Sequence, residues 1–307
     1  MPSRRQFLAG TAATGVAHMT QPIAPASTQQ KRLIVDSQIH IWPANTPERP
    51  WVPGAKPQLP EPFTIERAVA MMDEAGVDRA IIVPPSLEGD RIDYAQEAVK
   101  RHPGRFAVMA RIALDKPDTA RRFPTWRDQP GVLGIRLNIA GKQAAWLADG
   151  TADWFWPAAE KAGLPVMFQT TGQTHLFAPI AERHPKLTLI IDHMGLSSET
   201  VHRKKVPEAI AASAALAKYP NVSVKLSSVL RSSTESYPFR DVMPHIRRLF
   251  DAYGPQRCYW GTDVTNGYAQ ATYRQRLTQF TEELSFLSET DKDWIMGRAI
   301  VARLRWM

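Results

Sequence analysis

A single cysteine, Cys258, stands among 307 residues, so no intrachain disulfide can brace the fold and burial has to hold it together. Nor is there an apolar run of the ~20 residues that a membrane-spanning helix needs. The candidate, Phe7 to Met19, is short and rich in Ala, Gly and Thr, and no stable membrane anchor is expected. No glycine-rich phosphate turn follows the first strand-like run, which speaks against an open dinucleotide-binding sheet. The net charge of +8 at pH 7 is spread out, with its tightest cluster in "HRKK" at 202–205 and otherwise isolated pairs such as Arg121-Arg122 and Arg247-Arg248. Without interleaved aromatics these do not make a nucleic-acid surface, and an anionic small-molecule substrate suits the charge better.

What is present begins with "MPSRRQFLAGTAATGVAHMTQPIAPA". A basic start, a short apolar run and a small-residue exit make residues 1–26 an export signal, and Arg4-Arg5 make it a twin-arginine one. Ala24-Pro25-Ala26 fits the cleavage pattern, and the stretch has no cysteine for a lipid anchor. The reading implies the Tat export machinery as a partner, the periplasm as the destination, and a mature chain of residues 27–307.

That mature length is close to the ~250 residues typical of one (β/α)8 barrel. Eight short β-branched and apolar runs recur: "LIVDSQIHIW" from 33, "RAIIVPPS" from 79, "RFAVMARI" from 105, "VLGIRLNI" from 132, "PVMFQTT" from 165, "LTLIIDHMG" from 187, "NVSVKLSSV" from 221 and "RCYWGTDV" from 257. Helical patterns such as "TIERAVAMMDEAG" and "VPEAIAASAALAKYP" lie between them, with Gly or His/Tyr-Pro stops; His102 and His184 are read as such stops. Strand then helix, eight times, predicts an α/β fold, a single TIM barrel of parallel strands. Between Pro43 and Phe63 lie seven prolines, a long loop after the first strand and a candidate lid on the barrel's C-terminal face. Near the C-terminus Trp294, Ile295, Ile300, Val301 and Leu304 recur at helical spacing and are expected in the core.

Reactive groups in a barrel come from strand ends and from residues of inward parity. On the first strand, period two places Asp36, Gln38 and His40 on one inward face, with Val35, Ile39 and Ile41 toward the helices. Buried polar residues need a partner or a ligand, so this face is a candidate site. His193 follows the sixth strand and Asp263 the eighth. Arg136 and Lys225 are inward by parity on the fourth and seventh; an arginine fork suits a carboxylate, and Lys225 could pair with Asp263 or touch substrate. Gln169 ends the fifth strand, and Trp42, with Trp51, flanks the lid where a planar ligand could stack. His175 and His202 fall in loops of the same end.

"VDSQIHIW", "GIRLN", "IDHMG", "VKLSS" and "GTD", in this order, resemble the amidohydrolase superfamily, in particular the amidohydrolase-related branch that includes 2-pyrone-4,6-dicarboxylate lactonase and sugar lactonases. That resemblance implies a His-x-His pair on the first strand, a His on the sixth and an Asp on the eighth, which ring a divalent ion in metal-binding members. Here His40, His193 and Asp263 match and Gln38 takes the place of the first His. An amide is a poor exchange for imidazole on zinc, so no metal is expected; if zinc or manganese is held, its ligands are His40, His193 and Asp263. "GTDVTNGY" also departs from the family pattern, with Val264-Thr265 in place of a Trp-Pro. The resemblance implies a lactone or activated ester hydrolysed by water activated on Asp263. Gln38, His40 and His193 would polarise the carbonyl while Arg136, Lys225, Gln169 and Trp42 hold the substrate. The alternatives are a metal-dependent amidohydrolase or decarboxylase, and a barrel that binds an organic acid without catalysis.

Overall fold

The computed structural model describes residues 31–307; the expected export signal lies outside them. Within Arg32–Met307 the eight expected runs each contain a strand: β1 (Val35–Ile39), β2 (Arg79–Ile82), β3 (Phe106–Arg111), β4 (Val132–Ile139), β5 (Val166–Thr170), β6 (Leu189–Ile191), β7 (Val222–Leu226) and β8 (Cys258–Trp260). Each pairs in parallel with the next. Asp263 N donates to Gln38 O at 2.9 Å and His40 N to Val264 O at 2.7 Å, so the ring closes between β1 and the segment after β8. Gly261 is required there, because a Cβ would stand 2.4 Å from Ser37 Oγ.

Local chemistry sets the helices between strands. Thr64 Oγ1 accepts from Arg67 N at 3.3 Å to start the helix Ile65–Ala75, and Gly76 ends it at φ 77°, the left-handed turn that glycine adopts without a Cβ penalty. His102 and His184 do close helices, after Asp93–Arg101 and Ala178–Arg183. No helix among the described residues is long and apolar enough to cross a membrane.

Alternation along the strands separates two apolar regions. Ala80, Ile82, Val108, Ile135, Leu137, Phe168, Val224 and Trp260 pack outward against the helices. Val35, Ile81, Ala107, Met109, Met167, Ile190 and Tyr259 fill the lower barrel, sealed by Ala299, Ile300, Leu304 and Trp306. The C-terminal pattern thus ends as the helix Ala299–Leu304, which plugs the barrel floor. Ile295 and Ile300 are fully buried; Trp294 and Val301 are only partly so.

The first strand departs from the expected parity. Its pairing with β2 slips between Asp36 and Ile39, so Val35 points inward and Asp36 does not share a face with Gln38 and His40. Asp36 instead accepts from Thr262 N (2.9 Å), Thr262 Oγ1 (2.5 Å), Tyr273 OH (2.9 Å) and Gln38 N (3.0 Å). It is a fully hydrogen-bonded staple between β1 and the chain after β8.

Candidate active site

At the top of the barrel, β1, β6, β7 and β8 bring Gln38, His40, His193 and Asp263 together. Three strand ends turn through left-handed backbone to aim these groups: His193 at φ 52°, Ser228 at φ 57° and Asp263 at φ 56°. Such conformations cost on the order of 1–3 kcal/mol each for a residue with a Cβ. A pattern of strands and turns does not reveal them.

Asp263 is the hub. Its Oδ1 accepts from Gln38 Nε2 at 3.1 Å and faces His40 Nε2 at 3.0 Å, and its Oδ2 accepts from Ser228 Oγ at 2.7 Å and Asn266 Nδ2 at 3.0 Å. Burial alone would push this carboxyl up, but the facing imidazoles of His193 and His40 and the Ser228 hydroxyl hold it well below the usual carboxylate range. His40 Nδ1 donates to the Val83 carbonyl at 2.7 Å, which fixes the ring with Nε2 toward the carboxylate.

Gln38 has only one consistent orientation. Lys225 Nζ donates to its Oε1, and an ammonium cannot accept, so the NH2 must face the centre. That NH2 also meets His193 Nε2 at 3.2 Å, which makes this nitrogen an acceptor and leaves Nδ1–H to donate to Ser227 Oγ at 2.9 Å. Burial holds His193 neutral, its imidazole pulled down to about 4. The expected carbonyl-polarising role of His193 is therefore corrected: donors into the site are Gln38 and His40, and His193 orients the amide.

Lys225 also departs from its expected place. Fully buried, it faces Asp192 Oδ1 at 2.7 Å as an ion contact and braces Gln38, so it reaches neither Asp263 nor a substrate. Arg136 Nε donates to Asp192 Oδ2 at 3.0 Å and its Nη2 to Gln169 Oε1 at 2.7 Å. Gln169 thus holds Arg136 in place. Trp42 has no exposed surface; its backbone bridges Phe63 and its ring lies 6.0 Å from that ring, so it pins the two ends of the Pro-rich loop and offers no face to a ligand. The loop itself reaches the site's edge, where Thr265 Oγ1 donates to Gln58 Oε1.

A cavity of about 270 Å³ opens beside His193 and Ser228, lined also by His202 and Arg231. His175 belongs to a separate, larger cavity of about 420 Å³ that contains none of the clustered groups. Residues that the sequence reading did not single out complete the site: Asp192, Ser227, Ser228, Asn266 and Arg111. Arg111 carried a signal, a charge at inward parity at the end of β3 beside Ala107 and Met109.

Metal-ligand chemistry is partly present, since His40 Nε2 and His193 Nε2 approach Asp263 Oδ1 at 3.0 and 3.7 Å. The fourth group presents N–H donors, which a cation cannot use; turning the amide would place its NH2 against Lys225. These residues do not fit a four-ligand site, and among the described residues no group of three or more His, Cys, Asp or Glu is arranged to hold a metal ion.

An eight-stranded parallel barrel with an Asp and two His at the ends of β8, β1 and β6 defines a barrel hydrolase of the amidohydrolase type. The amidohydrolase family model Amidohydro_2 matches residues 35–302, and the chain belongs to that family. It is 28% identical over 238 residues to a 4-sulfomuconolactone hydrolase of Hydrogenophaga intermedia, covering 74% of this chain and 73% of that one. To an L-fucono-1,5-lactonase of Burkholderia ambifaria it is 26% identical over 243 residues, covering 75% and 79%. The fold is shared with a crystal structure of an amidohydrolase from Burkholderia multivorans with bound zinc, at a TM-score of 0.73 and 20% identity over 89% of this chain and 99% of the other.

Proposed function

We propose that this protein hydrolyses a lactone, or a similarly activated ester, of a small anionic organic acid, without a metal. The observation that carries this is the orientation of Gln38: its NH2 group, turned away from Lys225, and His40 Nε2 both meet Asp263 Oδ1, which sets donors for an oxyanion next to a base. In the resting site one amide proton lies on His193 Nε2, while the other and His40 lie on Asp263, which makes that carboxylate a weak base. A lactone carbonyl arriving through the cavity competes for the Gln38 and His40 protons, and Asp263, relieved of them, takes the proton of the attacking water. The tetrahedral oxyanion collapses with opening of the ring, and the proton passes to the departing alkoxide. A lactone is reactive enough for this without a Lewis acid. Arg136, steadied by Asp192 and Gln169, holds the acid group of the substrate.

Relatives named as lactone hydrolases support the substrate class. The zinc in the structural neighbour supports the fold alone at that identity. Export by the twin-arginine route to the periplasm is part of the same proposal and rests on residues 1–26; mass analysis of the N-terminus of protein from the periplasmic fraction checks it. A panel of acidic and neutral lactones, followed by base uptake at constant pH, tests the activity. Turnover of acidic lactones is expected, and a panel without turnover would leave the binding-only barrel as the better account.

A further inference from the structure

The inner face at the top of the barrel carries an imbalance of charge. Three cations point inward there: Arg111, Arg136 and Lys225. Asp192 serves two of them, through Nε of Arg136 at 3.0 Å and Nζ of Lys225 at 2.7 Å. Asp263 is occupied by His40, Gln38, Ser228 and Asn266. Arg111 is left over. Among the described residues its Nε is buried with no hydrogen-bond partner, and no salt bridge to it is formed. Asp90, which attracts it from a distance, is itself paired with Lys116 at 2.7 Å.

Position makes this more than a stray charge. Arg111 is the last residue of β3, and its register partner on β4 is Arg136, so the two side chains leave neighbouring strands at the same level of the barrel, close enough for the Arg136 charge to act on Arg111. Burial and the neighbouring Arg136 charge pull Arg111 down to about 10, which still leaves it cationic at neutral pH. Two like charges adjacent in a partly buried place are unfavourable unless an anion joins them. Arg136 has given two of its three nitrogens to the protein and, among the described residues, the third has no protein partner.

We infer that Arg111 and Arg136 form a two-strand clamp for a carboxylate or sulfonate of the substrate, and that Arg111 is the residue that makes this acid group obligatory. The clamp would select acid-bearing lactones over neutral sugar lactones, because only an anion compensates the unpaired guanidinium. Only the location of the reacting carbonyl rests on the hydrolase reading. The test below reads binding without turnover, so failure of the one can be told from failure of the other.

The probe is benzene-1,3-dicarboxylate, compared with its uncharged diamide, titrated calorimetrically at low salt into the wild-type chain and into Arg111→Met, with thermal melts of both proteins without ligand. The wild type should bind the dicarboxylate at least tenfold more tightly than the diamide. Arg111→Met should lose at least tenfold in affinity for the dicarboxylate while melting at or above the wild-type temperature, because it removes a charge the free protein leaves unpaired. Arg111→Lys, which keeps the charge without the fork, should retain part of the affinity. Full retention of affinity in Arg111→Met, no preference of the wild type for the dicarboxylate, or a melt lowered by several degrees would each overturn the inference, the last by marking Arg111 as a structural residue.

Discussion

The lower and upper halves of the barrel interior are built from the same eight strands and the same inward parity, yet they solve different problems. Below, Val35, Ile81, Met109, Met167 and Ile190 pack against a helical plug, and the polar side chains beside them are uncharged: Ser223, level with Ile190, donates to the Leu189 carbonyl at 3.3 Å, and Tyr259 is fully buried. Above, Arg111, Arg136, Asp192, Lys225, Gln38 and Asp263 occupy the equivalent inward places, and three of the strand ends beside them adopt left-handed backbone. Stability resides in the lower layer; the upper layer spends it on pre-aimed polar groups.

The largest contrast should come from one substitution in each half. Asp263→Asn, nearly isosteric, is expected to lower kcat on an acidic lactone by about 100- to 10,000-fold, the usual cost of a lost general base, while the melting temperature stays near that of the wild type. Near-normal turnover would remove Asp263 from its role. Ile190→Ala in the lower layer should do the reverse, costing about 2–5 kcal/mol in chemical denaturation with kcat unchanged in the fraction that remains folded.

Lys225→Met joins the two halves. It leaves Asp192 with Arg136 as its one ionic partner, so a destabilisation of about 3 kcal/mol is expected from a broken buried pair. Asp192→Asn in the same chain should recover part of it. Because Gln38 loses the group that fixes its amide, kcat should fall with little change in KM; an unchanged kcat would mean that the amide is held by His193 and Asp263 alone. The smallest effect belongs to the staple. Thr262→Val removes one hydroxyl bond to Asp36, which keeps its other three donors, and the bond that the hydroxyl accepts from Val264 N at 3.1 Å, and should cost about 2 kcal/mol without altering kinetics.

Much of the lower half was legible in the sequence because burial leaves a period. Strand runs, helix stops and the tail's apolar spacing all record it. In the upper half, parity alone located Arg136 and Lys225, and strand ends located His193 and Asp263. Partnership was not legible. Whether Lys225 faces Asp263 or Asp192 depends on the distance across the barrel, which no one-dimensional pattern carries. Asp36 was misassigned because a slip in pairing between it and Ile39 shifts the parity of β1 by one, and Trp42 because a ring at a strand end reads the same whether it packs or stacks. Arg111 was visible as a charge among inward apolar residues; its lack of a partner could be known only from the folded chain.

The proposed catalysis by the Gln38 and His40 protons and the Asp263 carboxylate is most directly tested by turnover of an acidic lactone by the purified protein, before and after exhaustive chelation, with metal content measured by plasma mass spectrometry. The account predicts well under one equivalent of transition metal and the same kcat before and after chelation. One equivalent of zinc or manganese, with activity abolished on its removal and restored on its return, would contradict it.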